Sequence, residues 1–458
     1  MNIKTIHNIY FIGVGGIGMS ALARYFKFIG KNVGGYDRVA TKITDGLEEA
    51  GVNVIFKDDV KKVPGEFLDT VNTLVVYTPA IPDDNVLYNY FKEKEFRLRK
   101  RAEVLGEITA STFCYAVAGT HGKTTTSAIL THLLRETGTP HTAFLGGISE
   151  NLDSNFLLEG DKITVTEADE FDRSFLHLSP DIACITSIDA DHLDIYGDKT
   201  EMEKTFGAFA GKVKPGGKLI VRYGLPLQGI TYGVEAGADY VLEDVEVADG
   251  GYVFSIRMRE ELVAGVRFGK PGKHNLLNAL AAFAMAVEGG TSPREAADAL
   301  AGFKGVKRRF SYQLKTDTMV YVDDYAHHPT EIDAVCQAVR EMYPGKKVLA
   351  VFQPHLFSRT RDFMDEFGKS LSGFDQVVLL DIYPAREKPI DGITSRHLLD
   401  KIDHKNKQLV SKKELQPLME TTDAQVVLTL GAGDIGEEVD KIRKVLSERI
   451  EDNNDSGK

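Results

Sequence analysis

A short loop rich in glycine, lysine and threonine, GTHGKTT beginning at Gly119, has the residue types that bind phosphate groups. Gly119 and Gly122 allow a turn in which successive backbone N–H groups point at one anion. Lys123 would reach the β- and γ-phosphates of a nucleoside triphosphate, and the hydroxyl of Thr124 would ligate Mg²⁺. Val117 stands where the general pattern G-x-x-x-x-G-K-[ST] has its first glycine. Despite this departure, the loop predicts a nucleoside triphosphate site.

The elements on either side of the loop favour that interpretation. Tyr115 to Ala118 form an apolar run typical of a buried strand, and aliphatic residues recur at helical spacing from Thr125 to Leu134. A helix that starts at the loop directs its positive dipole end at a bound anion. The alternative is a glycine turn with a solvated lysine. It is less favoured because it does not explain the flanking strand and helix.

Acidic side chains and one histidine lie at the ends of two other predicted strands of the same block, KITVTEAD and IACITSID. They are Glu167, Asp169, Glu170 and Asp172, and then Asp189, Asp191, His192 and Asp194. The carboxyl ends of parallel strands meet at one edge of a sheet, where the phosphate loop also lies. Oxygen and imidazole ligands at this edge suit Mg²⁺ ions between a triphosphate and a second substrate. For most of these acids the alternative is a solvated loop position, and for His192 it is a structural histidine.

The N-terminal segment contains a second candidate phosphate site. Gly13, Gly15 and Gly18 form G-x-G-x-x-G directly after the predicted strand NIYFIG and before a helical run. Asp37 follows at the distance at which an acidic residue meets a ribose hydroxyl in Rossmann-type domains. The pattern predicts a diphosphate cradle but does not identify the nucleotide. The same pattern recurs at 431–436 in GAGDIG, where a tight strand-to-helix turn is the preferred interpretation.

Two polar strand exits lie in the C-terminal third of the chain. The first, VDDYAHHPTE, leads into a helix that begins at Pro329. It carries Asp323, Asp324, His327 and His328. Such an exit often lines a binding site, although a network that caps the helix would also explain it. The second, FQPHLFSRTRD, adds donors suited to a carboxylate or phosphate: His355, Arg359 and Arg361.

The composition is that of a globular protein with an excess of acidic residues. The 458 residues are 43% hydrophobic, and the formal net charge of −12 argues against a general nucleic-acid binder. Three separated cysteines show neither a paired framework nor metal-binding spacing, which favours a reducing compartment. We see no apolar N-terminal region typical of a signal peptide and no run of 18 apolar residues. We therefore expect a cytoplasmic protein without a membrane or nucleic-acid partner.

Apolar strands alternating with helical patterns divide the chain into three α/β blocks with mostly parallel sheets, 1–108, 109–311 and 312–458. Within the first block the basic run RLRKRAEVL is short and flanked by acids, so we expect a solvated face or an interdomain contact. The polar tail from Arg449 is expected to be disordered.

Eight segments occur in an order that is similar to one known family. They are GVGGIGMSALAR, GTHGKTTT, EADEFDRSFL, DADHLDIYG, HNLLNALAA, KRRF, VDDYAHHPTE and FQPHLFSRTRD. Each segment alone is modest evidence, but together they closely resemble the Mur ligases of peptidoglycan synthesis, over roughly residues 8 to 440. The resemblance, rather than composition or spacing, suggests the substrates.

The resemblance implies a three-domain α/β enzyme. Its N-terminal Rossmann-like domain (1–108) would bind a UDP-sugar, and its central P-loop domain (109–311), with a mostly parallel sheet, would bind ATP. Its C-terminal Rossmann-like α/β domain (312–458) would close over ATP and an amino acid. The family forms an amide bond through an acyl phosphate, with release of ADP and phosphate. The segments IGVGGIGMSALA and DRSFLHLSP favour members that join L-alanine to the lactyl carboxylate of UDP-N-acetylmuramate. A monomer or weak homodimer that uses ATP and Mg²⁺ is expected.

Motif matching to the family implies roles for individual residues. The catalytic group is Lys123, Glu167 and His192, and the Mg²⁺ ligands are Thr124, Glu167 and His192. The ATP-binding residues are Gly119, Thr120, His121, Gly122, Lys123, Thr124, Thr125, Asn275, Asn278, Arg309 and Asp324. The UDP-sugar residues are Gly15, Gly16, Gly18 and Asp37, and the amino-acid residues are His327 and Arg359.

Some positions depart from the family pattern, and other functions remain as alternatives. Leu356 stands where many relatives have an arginine, and Tyr36 stands where serine is common. Gly207 occupies the position of a lysine that is carbamylated in some sister ligases, so that modification is not expected. The alternatives are a recycling ligase that attaches a tripeptide to the same sugar nucleotide, a NAD-dependent dehydrogenase, and a nucleotide-binding regulator without catalytic activity.

Overall fold

The computed structural model of the protein describes residues 6–78, 81–189, 199–248, 250–259, 261–385 and 387–456. Contacts between residues separate the chain into two compact units. The first comprises Met1–Asp244, Phe254–Val266 and Asn278–Phe303, and the second comprises Val245–Val253, Arg267–Leu277 and Lys304–Lys458. Three sheets, of five, ten and six strands, are formed. Most of their pairings are parallel, which confirms the predicted α/β class. The predicted domain boundaries stay a prediction.

The N-terminal sheet is entirely parallel, with the order β3-β2-β1-β4-β5. Its strands are β1 (Asn8–Ile12), β2 (Asn32–Tyr36), β3 (Asn53–Ile55), β4 (Thr73–Tyr77) and β5 (Arg97–Lys100). Its helices are α1 (Ile17–Phe28), α2 (Lys42–Glu49), α3 (Val86–Glu93) and α4 (Arg101–Ser111), with 3₁₀ turns at Val60–Lys62 and Gly65–Leu68. The strand order reverses direction between β1 and β4. Ligands of such sheets bind at this switch point, beyond the strand ends.

The central sheet has the order β15-β14-β13-β12-β11-β10-β6-β9-β7-β8. Its strands are β6 (Phe113–Ala118), β7 (Thr142–Ser149), β8 (Ser154–Leu158), β9 (Ile163–Glu167), β10 (Ile182–Ile185), β11 (Lys218–Arg222), β12 (Ile230–Gly233), β13 (Tyr240–Ala248), β14 (Gly251–Met258) and β15 (Glu261–Phe268). Its helices are α5 (Lys123–Glu136), α6 (Lys199–Ala210), α7 (Lys273–Glu288) and α8 (Pro293–Leu300), with a 3₁₀ segment at Phe171–His177. Strand β6 pairs in parallel with both β9 and β10, so the polar exits of these two strands flank the phosphate loop.

The C-terminal sheet has the order β16-β17-β21-β18-β19-β20, in which only β16 is antiparallel to its neighbour. Its strands are β16 (Ser311–Lys315), β17 (Val320–Asp324), β18 (Val348–Phe352), β19 (Gln376–Leu379), β20 (Lys407–Leu409) and β21 (Val426–Leu430). Its helices are α9 (Pro329–Met342), α10 (Phe357–Asp362), α11 (Met364–Leu371), α12 (Ser395–Lys401), α13 (Leu415–Thr421) and α14 (Val439–Ser456), with 3₁₀ turns at Lys412–Glu414 and Asp434–Glu438.

Burial explains why these segments became strands and helices. The central strands β6 and β10 are apolar throughout and almost completely buried, as expected of parallel strands covered on both faces. In the C-terminal sheet, separate clusters of buried side chains cover the two faces. Helix α14 runs to Ser456, so the expectation of disorder from Arg449 onward is wrong as far as that residue. In the part of the chain that the structure describes, no helix is both long and apolar enough to cross a membrane.

Candidate functional site

The phosphate loop lies between β6 and α5, and its two glycines are required by close neighbours. Gly119 has φ of +139°, and a Cβ there would lie 2.0 Å from Thr186 Oγ1. Gly122 has φ of +83°, and a Cβ there would lie 2.4 Å from Asn278 Oδ1. A side chain at either position would meet both backbone strain and a clash. The loop is therefore packed between the exit of β10 and helix α7.

The exit of β10 fixes the loop through hydroxyl groups. Ser187 Oγ lies 2.8 Å from Thr120 Oγ1 and accepts a hydrogen bond of 2.9 Å from the His121 N–H. Thr120 Oγ1 accepts a further bond of 3.0 Å from the N–H of Asp189. His121 Nε2 lies 3.7 Å from the Asp189 carboxylate. The sequence placed Thr120 and His121 in the site but missed Ser187, whose only signal was its position at a strand exit.

The ammonium group of Lys123 is held inside the loop by three acceptors. It donates to Gly119 O at 2.7 Å, to Glu170 Oε1 at 2.8 Å and to Thr120 O at 3.4 Å. The Lys123 side chain is 13% exposed and that of Glu170 only 1%. The sequence identified Glu170 as part of an acidic cluster but gave it no partner. The structure pairs it with the loop lysine.

Thr124 and Glu167 meet at the start of α5. Thr124 Oγ1 donates to Glu167 Oε2 at 2.8 Å, and the N–H of Gly146 donates to the same oxygen at 3.0 Å. A hydroxyl beside a carboxylate is a donor set that suits Mg²⁺, which prefers oxygen ligands. Thr125 follows on the helix and is buried. The third predicted ligand, His192, lies outside the described residues.

Within the described ranges, no group of three or more His, Cys, Asp or Glu side chains is arranged to hold a metal ion. The fit to Mg²⁺ therefore depends on the Thr124 hydroxyl together with Glu167. The predicted Mg²⁺ site stays a prediction.

The N-terminal glycine loop is fixed by the end of β2. The N–H of Gly15 donates to Asp37 Oδ2 at 2.7 Å, and a Cβ on Gly15 would lie 2.8 Å from that oxygen. The carbonyl oxygen of Tyr36 accepts from the N–H groups of Gly13 and Val14 at 2.7 and 2.9 Å. Gly16 caps α1. Asp37 therefore accepts a hydrogen bond from the glycine loop, and its predicted contact with a ribose stays a prediction.

A cavity of about 410 Å³ joins this glycine loop to Glu167. Its walls include Gly16 and Gly18 from α1, Arg101 from α4, and Glu167 and Asp169 from the end of β9. A Cβ on Gly18 would lie 3.0 Å from Arg101 Nη1, so the glycine makes room for the guanidinium group. Apolar walls with a few polar groups are typical of a site that binds a small molecule.

Arg101 lines this cavity and was not among the site residues predicted from the sequence. It belongs to the basic run RLRKRAEVL, for which a solvated face or interdomain contact was expected. In the described part of the chain, its guanidinium group makes no ion pair with a carboxylate. A cation at the glycine loop suits an anionic group of the ligand.

The second compact unit contains Arg309, Asp324 and His327, and all three lie near Tyr325. Asp324 is buried and accepts hydrogen bonds from the N–H groups of Phe310 and Ala326, at 2.6 and 2.7 Å. Burial raises the pKa of Asp324 to about 6. The guanidinium of Arg309 lies 5.1 Å from the centroid of the Tyr325 ring. Both carboxylate oxygens of Asp324 thus fix the surrounding backbone, and its predicted role in ATP binding stays a prediction.

His327 is held by the first turn of α9. Its ring Nδ1 lies 2.9 Å from the carbonyl oxygen of Tyr325, and its backbone N–H donates to Glu331 Oε2 at 3.0 Å. Burial lowers the pKa of His327 to about 4, and the positive charge of Arg359 acts in the same direction. His327 is therefore neutral near pH 7. Glu331, which also lies 3.9 Å from Arg309, was missed by sequence reasoning.

The two asparagines predicted to bind ATP have different surroundings. Asn275 Nδ2 donates to the carbonyl oxygen of Pro271 at 2.7 Å. Asn278 Oδ1 accepts from Thr126 Oγ1 at 3.3 Å, next to Gly122. Asn278 thus contacts the phosphate loop directly.

Arg359 lies in α10, which follows Leu356. This leucine has φ of +71°, an uncommon conformation for a residue with a side chain.

Three family models match the chain in succession. Residues 8–112 match the Mur ligase family catalytic domain, residues 117–286 the Mur ligase middle domain, and residues 308–433 the Mur ligase glutamate ligase domain.

Relatives cover nearly the whole chain. The UDP-N-acetylmuramate–L-alanine ligase of Flavobacterium psychrophilum is 58% identical over 449 residues, which are 98% of this chain and 100% of the relative. The enzyme of the same name from Christiangramia forsetii is 58% identical over 97% of this chain and 99% of its own. The crystal structure of UDP-N-acetylmuramate-alanine ligase MurC from Thermotoga maritima has 28% identity and a TM-score of 0.77. It covers 97% of this chain and 99% of that one. The likeness confirms the predicted three-domain architecture.

Proposed function

Because the chain belongs to the Mur ligase family, we propose that it joins L-alanine to the lactyl carboxylate of UDP-N-acetylmuramate in a reaction driven by ATP. The carboxylate attacks the γ-phosphate, so that an acyl phosphate and ADP form. The amino group of L-alanine then attacks the acyl carbon, the amide bond forms, and inorganic phosphate leaves. The product is a precursor of peptidoglycan.

One observation carries this proposal. One cavity is lined both by Gly16 and Gly18 at the start of α1 and by Glu167, and Glu167 accepts a hydrogen bond from Thr124 of the phosphate loop. A sugar nucleotide bound with its diphosphate at Gly16 and Gly18 would extend toward the loop that holds the triphosphate. A carboxylate can react with a γ-phosphate only when the two are brought into such proximity.

The phosphate loop supplies positive charge where two anions must meet. A carboxylate and a triphosphate repel each other, so their approach needs cations and N–H donors fixed in advance. Lys123 provides an ammonium group, and the start of α5 provides backbone N–H groups and a positive dipole end. The hydrogen bonds that Thr120 and His121 make with Ser187 keep the loop in this conformation before any ligand enters.

Mg²⁺ fits beside the loop. Thr124 and Glu167 would hold the ion, and His192 would be a ligand of a second one. Bound there, the ion would neutralise charge on the phosphate oxygens. Thr124 and Glu167 themselves hold each other in position through their hydrogen bond of 2.8 Å.

Other residues would bind the two remaining partners. Arg101 would pair with an anionic group of the sugar nucleotide, because its guanidinium faces the cavity beside Gly18. His327 and Arg359 would bind L-alanine. The Arg359 guanidinium can pair with the amino-acid carboxylate, whereas neutral His327 adds no charge. We further propose that the protein acts in the cytoplasm, as a monomer or weak homodimer.

Release of phosphate is the direct test. The protein is supplied with ATP, Mg²⁺ and UDP-N-acetylmuramate, and the amino acid is varied among L-alanine, glycine, L-serine and a tripeptide. We expect release that requires the sugar nucleotide and is fastest with L-alanine. Use of the tripeptide alone would favour the recycling ligase instead, and binding of ATP without any release would favour a regulator. A nicotinamide cofactor should give no change in absorbance.

A further inference from the structure

The ammonium group of Lys123 has no hydrogen-bond donor to spare. An ammonium group carries three N–H donors. In the structure these meet three acceptors, namely the carbonyl oxygens of Gly119 and Thr120 and the carboxylate oxygen Oε1 of Glu170. A phosphate oxygen can therefore bind Lys123 only if one of the three contacts is broken or shared.

Glu170 is the strongest of these competitors. Its bond of 2.8 Å is between two charged groups, and such bonds are about twice as strong as bonds to neutral carbonyl groups. Its side chain is 1% exposed, so water screens the pair poorly. The contact to Thr120 O is long, at 3.4 Å, and neutral. The resting position of Lys123 is thus set mainly by Gly119 O and Glu170.

Glu170 also lies where its negative charge opposes a nucleotide. The carboxylate contacts the ammonium group that the triphosphate would use, so the two anions compete for one cation. A buried carboxylate in contact with Lys123 also repels the phosphate groups, and this repulsion is felt strongly in a poorly solvated site.

We propose that Glu170 is a resting counter-ion of the phosphate loop that competes with the triphosphate for Lys123 and thereby weakens nucleotide binding. It keeps the lysine in the loop when the nucleotide is absent and releases an N–H donor when phosphate arrives. This role rests on the proposed function, because it requires the loop to bind ATP. It differs from a role in the reaction itself, since Glu170 acts through Lys123.

Glu170→Gln tests the proposal directly. Glutamine has nearly the same shape and still offers a carbonyl oxygen to Lys123, but it carries no charge. We expect ATP and ADP to bind about tenfold more tightly to the variant, a change that corresponds to about 1.4 kcal/mol. Glu170→Asp keeps the charge but withdraws it by one methylene, and should give a smaller gain in the same direction.

Titration calorimetry with ADP and ATP, with Mg²⁺ and with a chelator, measures the effect without any turnover. Glu159→Gln is the matched control. It removes one negative charge and breaks an exposed ion pair with Arg135, 2.9 Å long, near the other end of the same helix α5. Its nucleotide affinity should equal that of the wild type. Thermal unfolding without nucleotide shows whether each variant is folded.

The outcomes separate this inference from the proposed function. If the wild type binds neither nucleotide, the proposed function fails. If the wild type binds but folded Glu170→Gln binds no more tightly, and Glu170→Asp also shows no gain, the counter-ion role is wrong. A loss of affinity that appears only with Mg²⁺ would instead make Glu170 a metal ligand, and would equally overturn the proposal.

Discussion

The substitution Gly146→Ala tests the position of Glu167 without touching its chemistry. The N–H of Gly146, in β7, donates to Glu167 Oε2 at 3.0 Å. A Cβ at Gly146 would lie 2.1 Å from that oxygen, whereas ordinary van der Waals contact begins at 3.4 Å. Its φ is not in the left-handed range, so the added methyl group meets the carboxylate rather than backbone strain. The carboxylate must therefore move away by more than about 1 Å.

The expected loss of activity follows from this displacement. Misplacing a reacting or positioning group by about 1 Å costs on the order of 100-fold in rate. We expect kcat to fall by about 100-fold, equivalent to about 2.7 kcal/mol of transition-state stabilisation. The Mg²⁺ concentration for half-maximal activity should rise, because Thr124 and Glu167 no longer present their oxygens together.

Phosphate release measured over a range of Mg²⁺ concentrations provides the assay. Gly207→Ala in α6 is a suitable control, since a Cβ there meets nothing within 4 Å and alanine favours helix. The control should keep wild-type turnover. If folded Gly146→Ala shows the wild-type kcat and the wild-type dependence on Mg²⁺, then Glu167 does not act where we place it.

Three further expectations address other parts of the chain. Lys123→Ala should reduce turnover about 1,000-fold, because the ammonium group that stabilises the charge on the phosphate groups is lost. Binding of the UDP-sugar, measured by calorimetry, should stay unchanged; loss of that binding would contradict separate sites for the two substrates. Arg101→Met should raise KM for the sugar nucleotide about tenfold, while the affinity for ATP, measured by calorimetry, stays at the wild-type value. An unchanged KM would show that Arg101 does not bind the sugar nucleotide. The free energy of unfolding should fall as the pH is lowered from 6.5 to 4.5. The reason is that burial lowers the pKa values of His274 and His327 from 6.5 to about 4, so the folded chain binds fewer protons there than the unfolded chain. Asp323 and Asp324, whose pKa values burial raises, oppose this trend, whereas His132, His141 and His355, whose pKa values burial lowers, add to it. Urea unfolding at the two pH values checks the sign, and His274→Gln should reduce the difference.

Local sequence patterns predicted the phosphate loop and its supporting elements because the relevant information is contiguous. The apolar run before Gly119 became β6, and the helical spacing after Gly122 became α5. Neighbouring parallel strands have their carboxyl ends at the same edge of the sheet, so the end of β9 lies beside the loop that follows β6. The contact between Thr124 and Glu167 is a consequence of that topology.

Contacts that depend on strand order and side-chain reach were not available from the sequence. Glu170 stood among four acids of similar appearance, and only the placement of β9 beside β6 selects it as the partner of Lys123. Arg101 belongs to a basic run in which no residue stands out. Only the structure shows that its guanidinium group lies beside Gly18 and lines the cavity. The polar composition from Arg449 onward predicts disorder, whereas in the structure α14 continues through these residues to Ser456.

The two acids at the end of β9 have opposite consequences for nucleotide binding. Glu167 meets the Thr124 hydroxyl and offers an oxygen to a cation that accompanies ATP, whereas Glu170 takes up the positive charge of Lys123. With Lys123 already neutralised, the loop attracts a bare triphosphate weakly, and the charge needed for tight binding must come with the metal ion. The gain in affinity in Glu170→Gln should therefore be larger for metal-free ATP than for ATP with Mg²⁺. An equal gain under both conditions would mean that the repulsion between Glu170 and the phosphates is small, and that competition for the ammonium group alone limits binding.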